Sequence, residues 1–292
     1  MTLPHKKLKV AIVQNNAGGD ISANLRSLEN LLKRAPECDL IAFPEVFYVR
    51  GADQDYRANA QSLRGEVVQW LRQIARARRS WVLAGSIIEK ENTKNAEKNN
   101  IIGRAAAPAP RCSKFFNTCL LFDRRGKIAA KYRKIHLFEA YLDNGRQVRE
   151  SDVYAAGHRP VMANIEGWRC GLSICYDVRF PELFRYYSSK GAHLFFVPAN
   201  FTQRTGRDHW EVLLRARAIE NQSFVVAPGQ CGINQKTAIA SYGNSMAVGP
   251  WGEILCRAGD KPAVLTAVLN PENLRTTRAR IPALRHRRLS EN

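Results

Sequence analysis

Ser173-Ile174-Cys175-Tyr176-Asp177-Val178-Arg179-Phe180-Pro181-Glu182 carries a strand-like apolar run into a thiol and from there into a helix. Cys170 to Cys175 reads as a buried strand. Pro181 suits the first position of a helix and Gly191 the residue past its end, so a helix is expected over Pro181 to Lys190. Cys175 then falls on the turn between them, open to a substrate and facing backbone N–H groups. Asp177 fits a cap for that turn.

Working outward, the alternation of strand and helix recurs. Apolar runs bounded by turn residues span Leu8 to Val13, Leu40 to Phe43, Trp81 to Ile88, Cys119 to Phe122, Leu194 to Val197, Phe224 to Ala227 and Ala263 to Leu269. Helical spacing fits Ala23 to Lys33, Glu66 to Arg79 and Asp208 to Asn221. An α/β fold follows. Its sheet is not purely parallel, because Leu120-Leu121-Phe122 and Ile128-Ala129-Ala130-Lys131-Tyr132 flank a polar, glycine-containing turn as the arms of a hairpin would. That hairpin delivers Lys134 at the end of its second strand. No linker or repeat divides the chain, so residues 1–292 are expected to form one domain. A surface excursion is expected at 89–114, where periodicity stops and Asn-, Lys- and Ala-Pro-rich sequence takes over.

Composition narrows the function. The chain is 45% apolar, enough for a substantial core, yet no stretch approaches the roughly eighteen uninterrupted apolar residues of a membrane span. The first residues run into a strand without a signal-peptide core, so a soluble, cytoplasmic protein is expected. Cys38, Cys112, Cys119, Cys170, Cys175, Cys231 and Cys256 are odd in number and lack metal-ligand spacing, which predicts reduced thiols and no metal. Lys plus Arg exceed Asp plus Glu by 45 minus 26, or +19. That charge is spread out, with no aromatic platform or nucleic-acid motif beside it. It favours a field that draws in an anionic small substrate over a nucleic-acid or membrane partner.

Two further segments are odd for a simple core. Phe43-Pro44-Glu45 places an acid directly after a buried strand, and Tyr132-Arg133-Lys134-Ile135-His136-Leu137-Phe138 embeds charges among aromatic residues. Together with the Cys175 segment, and in this order, they resemble the nitrilase, or carbon–nitrogen hydrolase, superfamily and its Glu-Lys-Cys triad. The resemblance covers nearly the whole chain. It leans to the Nit branch through Phe116-Asn117-Thr118, Arg149-Glu150-Ser151-Asp152-Val153-Tyr154, the segment from His209 to Gln222, and Ser241-Tyr242-Gly243, and within that branch to its deaminated-glutathione amidases.

The resemblance implies a four-layer α-β-β-α sandwich, pairing of copies through outer helices such as Asp208 to Gln222, and no cofactor. It implies that Cys175 is the nucleophile, Glu45 the proton carrier, Lys134 a cation that both shifts the thiol toward ionisation and meets the oxyanion, and Glu150 a second acid that orients Lys134 or the substrate. The chemistry needs such help, since a free thiol has a pKa of about 8.5 and attacks an unactivated amide poorly. The Tyr176 N–H would be the second oxyanion donor. Arg179 would bind a substrate carboxylate or pair with Glu182, and Asn200 and Phe201 would line the pocket. His136 and His209 are read as structural.

The substrate implied is deaminated glutathione, cut to 2-oxoglutarate and cysteinylglycine. A 2-oxoglutaramate-like omega-amide and an N-carbamoyl amine are the alternatives within the superfamily, and a basic nucleic-acid-binding protein the alternative outside it. The chain departs from the Nit pattern at 89–114, at Gln230-Cys231-Gly232-Ile233-Asn234 and at Asn244. These departures leave the triad untouched and bear on pocket shape.

Overall fold

Strand β1 (Leu8–Gln14) divides its side chains between two cores. Leu8, Val10 and Ile12 pack into one, and Ala11 and Val13 into the other, as the period of two in an extended chain requires. This computed structural model describes residues 2–91, 115–141, 145 and 147–289. Next to β1, β2 (Leu40–Ala42) and β3 (Trp81–Lys90) run parallel, and β4 (Phe115–Phe122) and β5 (Ile128–Arg133) continue antiparallel. A small ribbon of β6 (Glu139–Tyr141) and β7 (Gln147–Arg149) follows.

The second sheet begins with β8 (Met162–Ile165), β9 (Trp168–Leu172), β10 (Leu194–Phe196) and β11 (Phe224–Ala227). A hairpin of β12 (Cys231–Ile233) and β13 (Ala240–Tyr242) interrupts it before β14 (Met246–Val248) and β15 (Ile254–Arg257) complete the order β15-β14-β11-β10-β9-β8. Finally β16 (Ala263–Leu269) returns to pair antiparallel with β1 and closes the first sheet as β16-β1-β2-β3-β4-β5.

Helices cover both outer faces. On the first sheet, α1 (Ile21–Lys33) starts where the Asp20 side chain accepts from Ala23 N–H at 3.0 Å, and it buries Leu25, Leu28 and Leu32 at helical spacing. The short α2 (Asp53–Ala58) leads to α3 (Glu66–Arg78), which adds Val67, Val68, Leu71 and Ala75 to the same core as Ala11 and Val13. On the second sheet lie α4 (Pro181–Ser189) and α5 (Glu211–Asn221), burying Leu183, Phe184, Leu214 and Ala218, with α6 (Pro271–Arg280) near the chain end. Between the sheets, Val10, Ile12 and Leu40 meet Leu172, Leu194 and Phe196. Each fully buried leucine or phenylalanine of these layers contributes about 2 kcal/mol. The arrangement is the expected α-β-β-α sandwich.

Three boundaries differ from expectation. The strand read from Cys170 to Cys175 ends at Leu172, because the chain turns into a 3-10 segment, Cys175–Arg179, before α4. The helix read from Asp208 begins as a wider turn, Gly206–Trp210, and becomes regular only at Glu211. The chain does not leave the fold at Glu89: Glu89 and Lys90 still pair with Phe116 and Phe115 across β3 and β4. Residues 92–114 of the expected excursion, with Cys112, lie outside the described residues.

Candidate active site

The loop that follows β2 is held against β3 more closely than side chains allow. A Cβ on Gly85 would sit 2.1 Å from the Phe43 carbonyl oxygen and 2.2 Å from that of Pro44, so only glycine fits there. Val46 is forced to φ +45°, a strained region for a β-branched residue. The strain is held by Ser86 Oγ, which accepts from Val46 N–H at 3.0 Å, and by Gln230 Nε2, which donates to both Glu45 and Val46 carbonyls at 3.1 Å. The product of this bracing is a Glu45 carboxylate 3% exposed and fixed in direction.

Lys134 follows β5 and is anchored through its own backbone, its N–H donating to Asn117 O at 2.8 Å and its carbonyl accepting from Gly157 N–H at 2.7 Å. Its ammonium lies 3.0 Å from Glu45 Oε1 and 2.8 Å from Glu150 Oε2. Glu150, in a 3-10 turn after β7, is steadied by the Phe138 N–H at 2.8 Å. Asn117 Nδ2 also donates to Glu45 Oε1, at 2.8 Å, while Asn200 N–H donates to Oε2 at 2.7 Å. Both oxygens of Glu45 are therefore occupied.

Cys175 arrives from the other sheet. Its φ of +49° puts it in the left-handed region at the sharp turn out of β9, and its own N–H is taken by Pro198 O at 2.8 Å. Asp177 does cap this turn: it accepts from Ile174 N–H at 2.8 Å, Tyr132 OH at 2.7 Å and His136 N–H at 3.1 Å. The Cys175 thiol and the Glu45 carboxylate face the same cavity. Since Cys175 N–H is engaged, the next backbone donor in the turn is that of Tyr176.

Charge balance follows from the geometry. Burial pulls the Lys134 ammonium toward deprotonation, but Glu150, Glu45 and Cys175 outweigh it and hold its pKa well above the ordinary lysine value. Burial pushes Glu150 up, and repulsion from Glu45 adds to this against the opposing Lys134. Burial also raises Cys175, and Glu45 adds to the rise; Lys134 acts the other way and loses. The expectation that Lys134 shifts the thiol toward ionisation holds only for its own contribution. Burial and Glu45 together therefore favour the neutral thiol over the thiolate.

These side chains border a cavity of about 190 Å³. Glu45, Glu150, Cys175, Tyr176, Arg179, Asn200 and Phe201 line it, whereas Lys134 lies beneath the wall. Arg179 does not pair with Glu182 or, among the described residues, with any other acid. Its guanidinium lies 5.2 Å from the Phe201 ring centre and 3.3 Å from His209 Nδ1. His136 stacks on Phe180 with centroids 3.7 Å apart and pairs with Asp177. Asn117, Gly85, Gln230, Arg50 and Ser241 escaped the sequence reading as site residues. Asn117 stood in a recognised string, but an amide on a buried strand gives no local sign of what it touches.

Residues 9–279 match the carbon-nitrogen hydrolase family. The deaminated glutathione amidase of Synechocystis sp. (strain PCC 6803 / GT-S) is 36% identical over 286 residues, covering 97% of this chain and 98% of that one. The 2-oxoglutaramate amidase of Paenarthrobacter nicotinovorans is 37% identical over 266 residues, 89% of this chain and 82% of that one. The crystal structure of Saccharomyces cerevisiae Nit3, from branch 10 of the nitrilase superfamily, superposes with a TM-score of 0.80 at 28% identity, covering 97% of each chain. With sequence and fold agreeing over nearly its full length, the chain belongs to the carbon-nitrogen hydrolase family, on the Nit side of the nitrilase superfamily.

Proposed function

We propose that the chain is an amidase that cuts a small anionic amide through a thioester on Cys175. The observation that carries this reading is the convergence of Glu45, Lys134 and Cys175 from distant parts of the sequence, with Lys134 paired to Glu45 at 3.0 Å and Glu45 and Cys175 lining one cavity. Because the thiol is neutral at rest, Glu45 takes its proton as sulfur attacks the amide carbon, and the C–S bond forms as the carbonyl oxygen becomes an oxyanion. Lys134 and the Tyr176 N–H stabilise that oxygen. As the oxyanion collapses the C–N bond breaks, and Glu45 passes its proton to the leaving amine. Glu45 then activates water to hydrolyse the thioester. Glu150 keeps Lys134 charged and aimed.

Deaminated glutathione is the substrate we favour, since it carries carboxylates beyond the scissile amide and Arg179 offers a half-buried guanidinium with no acid partner among the described residues. The similarity to a 2-oxoglutaramate amidase makes the smaller omega-amide the rival. A panel of deaminated glutathione, 2-oxoglutaramate, an N-carbamoyl amine and a nitrile, read by product mass, separates them. Cys175→Ala should fold and lose turnover, and intact mass during slow turnover should place the acyl group on Cys175. Full activity in Cys175→Ala would falsify the thioester route.

We further propose that the chain acts as a single cytoplasmic domain that pairs with a second copy through α5. The α5 stripe of Trp210, Leu214 and Ala218 is spent on the chain's own core, but Val212 and Ile219, on the opposite face, are 67% and 49% exposed. Sedimentation of Val212→Glu/Ile219→Glu against the wild type tests this; an unchanged mass would sink it.

A further inference from the structure

Arg50 shares the loop of Glu45 yet has no part in the chemistry above. It is 1% exposed, and among the described residues it has no carboxylate partner. Its Nη1 donates to neutral acceptors, Cys231 O at 3.1 Å and Ser241 Oγ at 2.7 Å; its Nη2 donates to Asn16 Oδ1, and its Nε is unsatisfied. A cation buried without a counter-charge is costly, so the bonds it makes need a reason.

Those bonds lead to Glu45. Ser241 has one hydroxyl hydrogen, and with its oxygen accepting from Arg50 it donates that hydrogen to Asn200 Oδ1 at 2.6 Å. The backbone N–H of the same Asn200 donates to Glu45 Oε2 at 2.7 Å. Ser241 and Arg50 thus fix the side chain of the residue whose backbone meets Glu45. The same guanidinium ties the β12–β13 hairpin to the Glu45 loop through Cys231 O, so the two halves of the molecule are clamped where the carboxylate stands. Lys134 and Asn117 hold Oε1, and the Asn200 backbone N–H holds Oε2, so the plane of the carboxylate is fixed from both sides.

We propose that Arg50 is a positioning residue for Glu45, acting through Ser241 and Asn200. This rests on the reading of Glu45 as the proton carrier. Ser241→Ala cuts the chain at its middle, Ser241→Thr keeps the hydroxyl, and Arg50→Met removes the head. In steady-state kinetics on the best panel substrate, Ser241→Ala and Arg50→Met should lower kcat about tenfold or more with KM within about twofold, as a misplaced catalytic group does. Ser241→Thr should recover most of that loss. The double variant Arg50→Met/Ser241→Ala should be no slower than the worse single variant, because both break one chain.

Ser241→Ala folding with wild-type kcat, or losses that multiply in the double variant, would overturn the proposal. If Arg50→Met does not fold, the Ser241 pair decides alone. Wild-type turnover in Glu45→Gln overturns the reading of Glu45 and this proposal with it. Wild-type turnover in Ser241→Ala beside an inactive Glu45→Gln overturns only the role of Arg50.

Discussion

Two glutamates paired to cations from the end of β5, Glu89 and Glu150, have opposite fates. Glu89, at the end of β3, is met by two cations, Lys131 at 2.8 Å and Arg133 at 2.9 Å, and by the Thr118 hydroxyl at 2.8 Å. Burial pushes its pKa up, but Arg133 and Lys131 outweigh burial and hold it below the ordinary carboxylate value. Glu150, in the turn after β7, shares one cation, Lys134, with Glu45, and stays raised. The ratio of cations to acids therefore decides which carboxylate is held below the ordinary value and which above it. Lys131 and Arg133, two apart on β5, reach Glu89, while Lys134, one residue past the strand, reaches Glu45. A single step along the chain separates the Glu89 ion cluster from the one proposed to carry the chemistry.

The largest expected break in this comparison is Lys134→Met, which keeps apolar bulk and removes the one cation between two acids. Its kcat should fall by at least about two orders of magnitude, the scale of a lost oxyanion contact, with circular dichroism confirming the fold. Lys134→Arg should also fail, because a planar guanidinium does not put a compact charge in the same place. A folded Lys134→Met at wild-type kcat would show a structural lysine and end the assigned mechanism.

Glu150→Gln sharpens the contrast. The raised pKa of Glu150 means that its ionised form is less favourable in the folded protein than in the unfolded chain, a penalty that grows as pH rises through the unfolded value. The substitution should therefore hold or raise Tm at pH 7 while kcat falls about tenfold. A lower Tm with unchanged kcat would make Glu150 another Glu89.

A third measurement reads the thiol itself. With Cys175 raised by burial and by Glu45, its alkylation by iodoacetamide, followed by peptide mass, should still be accelerating at about pH 9. A plateau near pH 7 would mean that Lys134 wins after all.

The smallest effect on activity is expected at Glu89. Glu89→Gln should leave kcat within about twofold but lower stability by about 1–2 kcal/mol, since it strands Lys131, which is 36% exposed, and leaves Arg133 only Glu91 at 3.3 Å. The depressed pKa contributes stability that is present above the unfolded value near 4.3 and is lost as pH falls through the lower folded value. The wild-type and Glu89→Gln unfolding curves should accordingly converge below about pH 4. Curves that stay parallel to about pH 3 would contradict the lowered pKa.

Residue patterns alone made the α/β class and many of its elements legible, and the family resemblance supplied the four layers. Period-two and helical patterns are local, so Ala263 to Leu269, Phe224 to Ala227 and the hairpin delivering Lys134 were legible, as were three motifs whose oddness needed only neighbouring residues to notice. Boundaries set by backbone strain were not. The early end of β9 depends on a left-handed Cys175, and nothing in its side chain announces that conformation.

Only the tertiary structure decided the sense of the charge balance and the second rank of the site. Whether Cys175 rests as thiol or thiolate depends on burial and on the sum of three neighbours that come from residues 45, 134 and 150. Gly85, Gln230, Arg50 and Ser241 matter through contacts with loops up to 191 residues away, the separation between Arg50 and Ser241. Electrostatic energy and hydrogen-bond geometry are functions of distance in space, and the chain order fixes that distance only after it has folded.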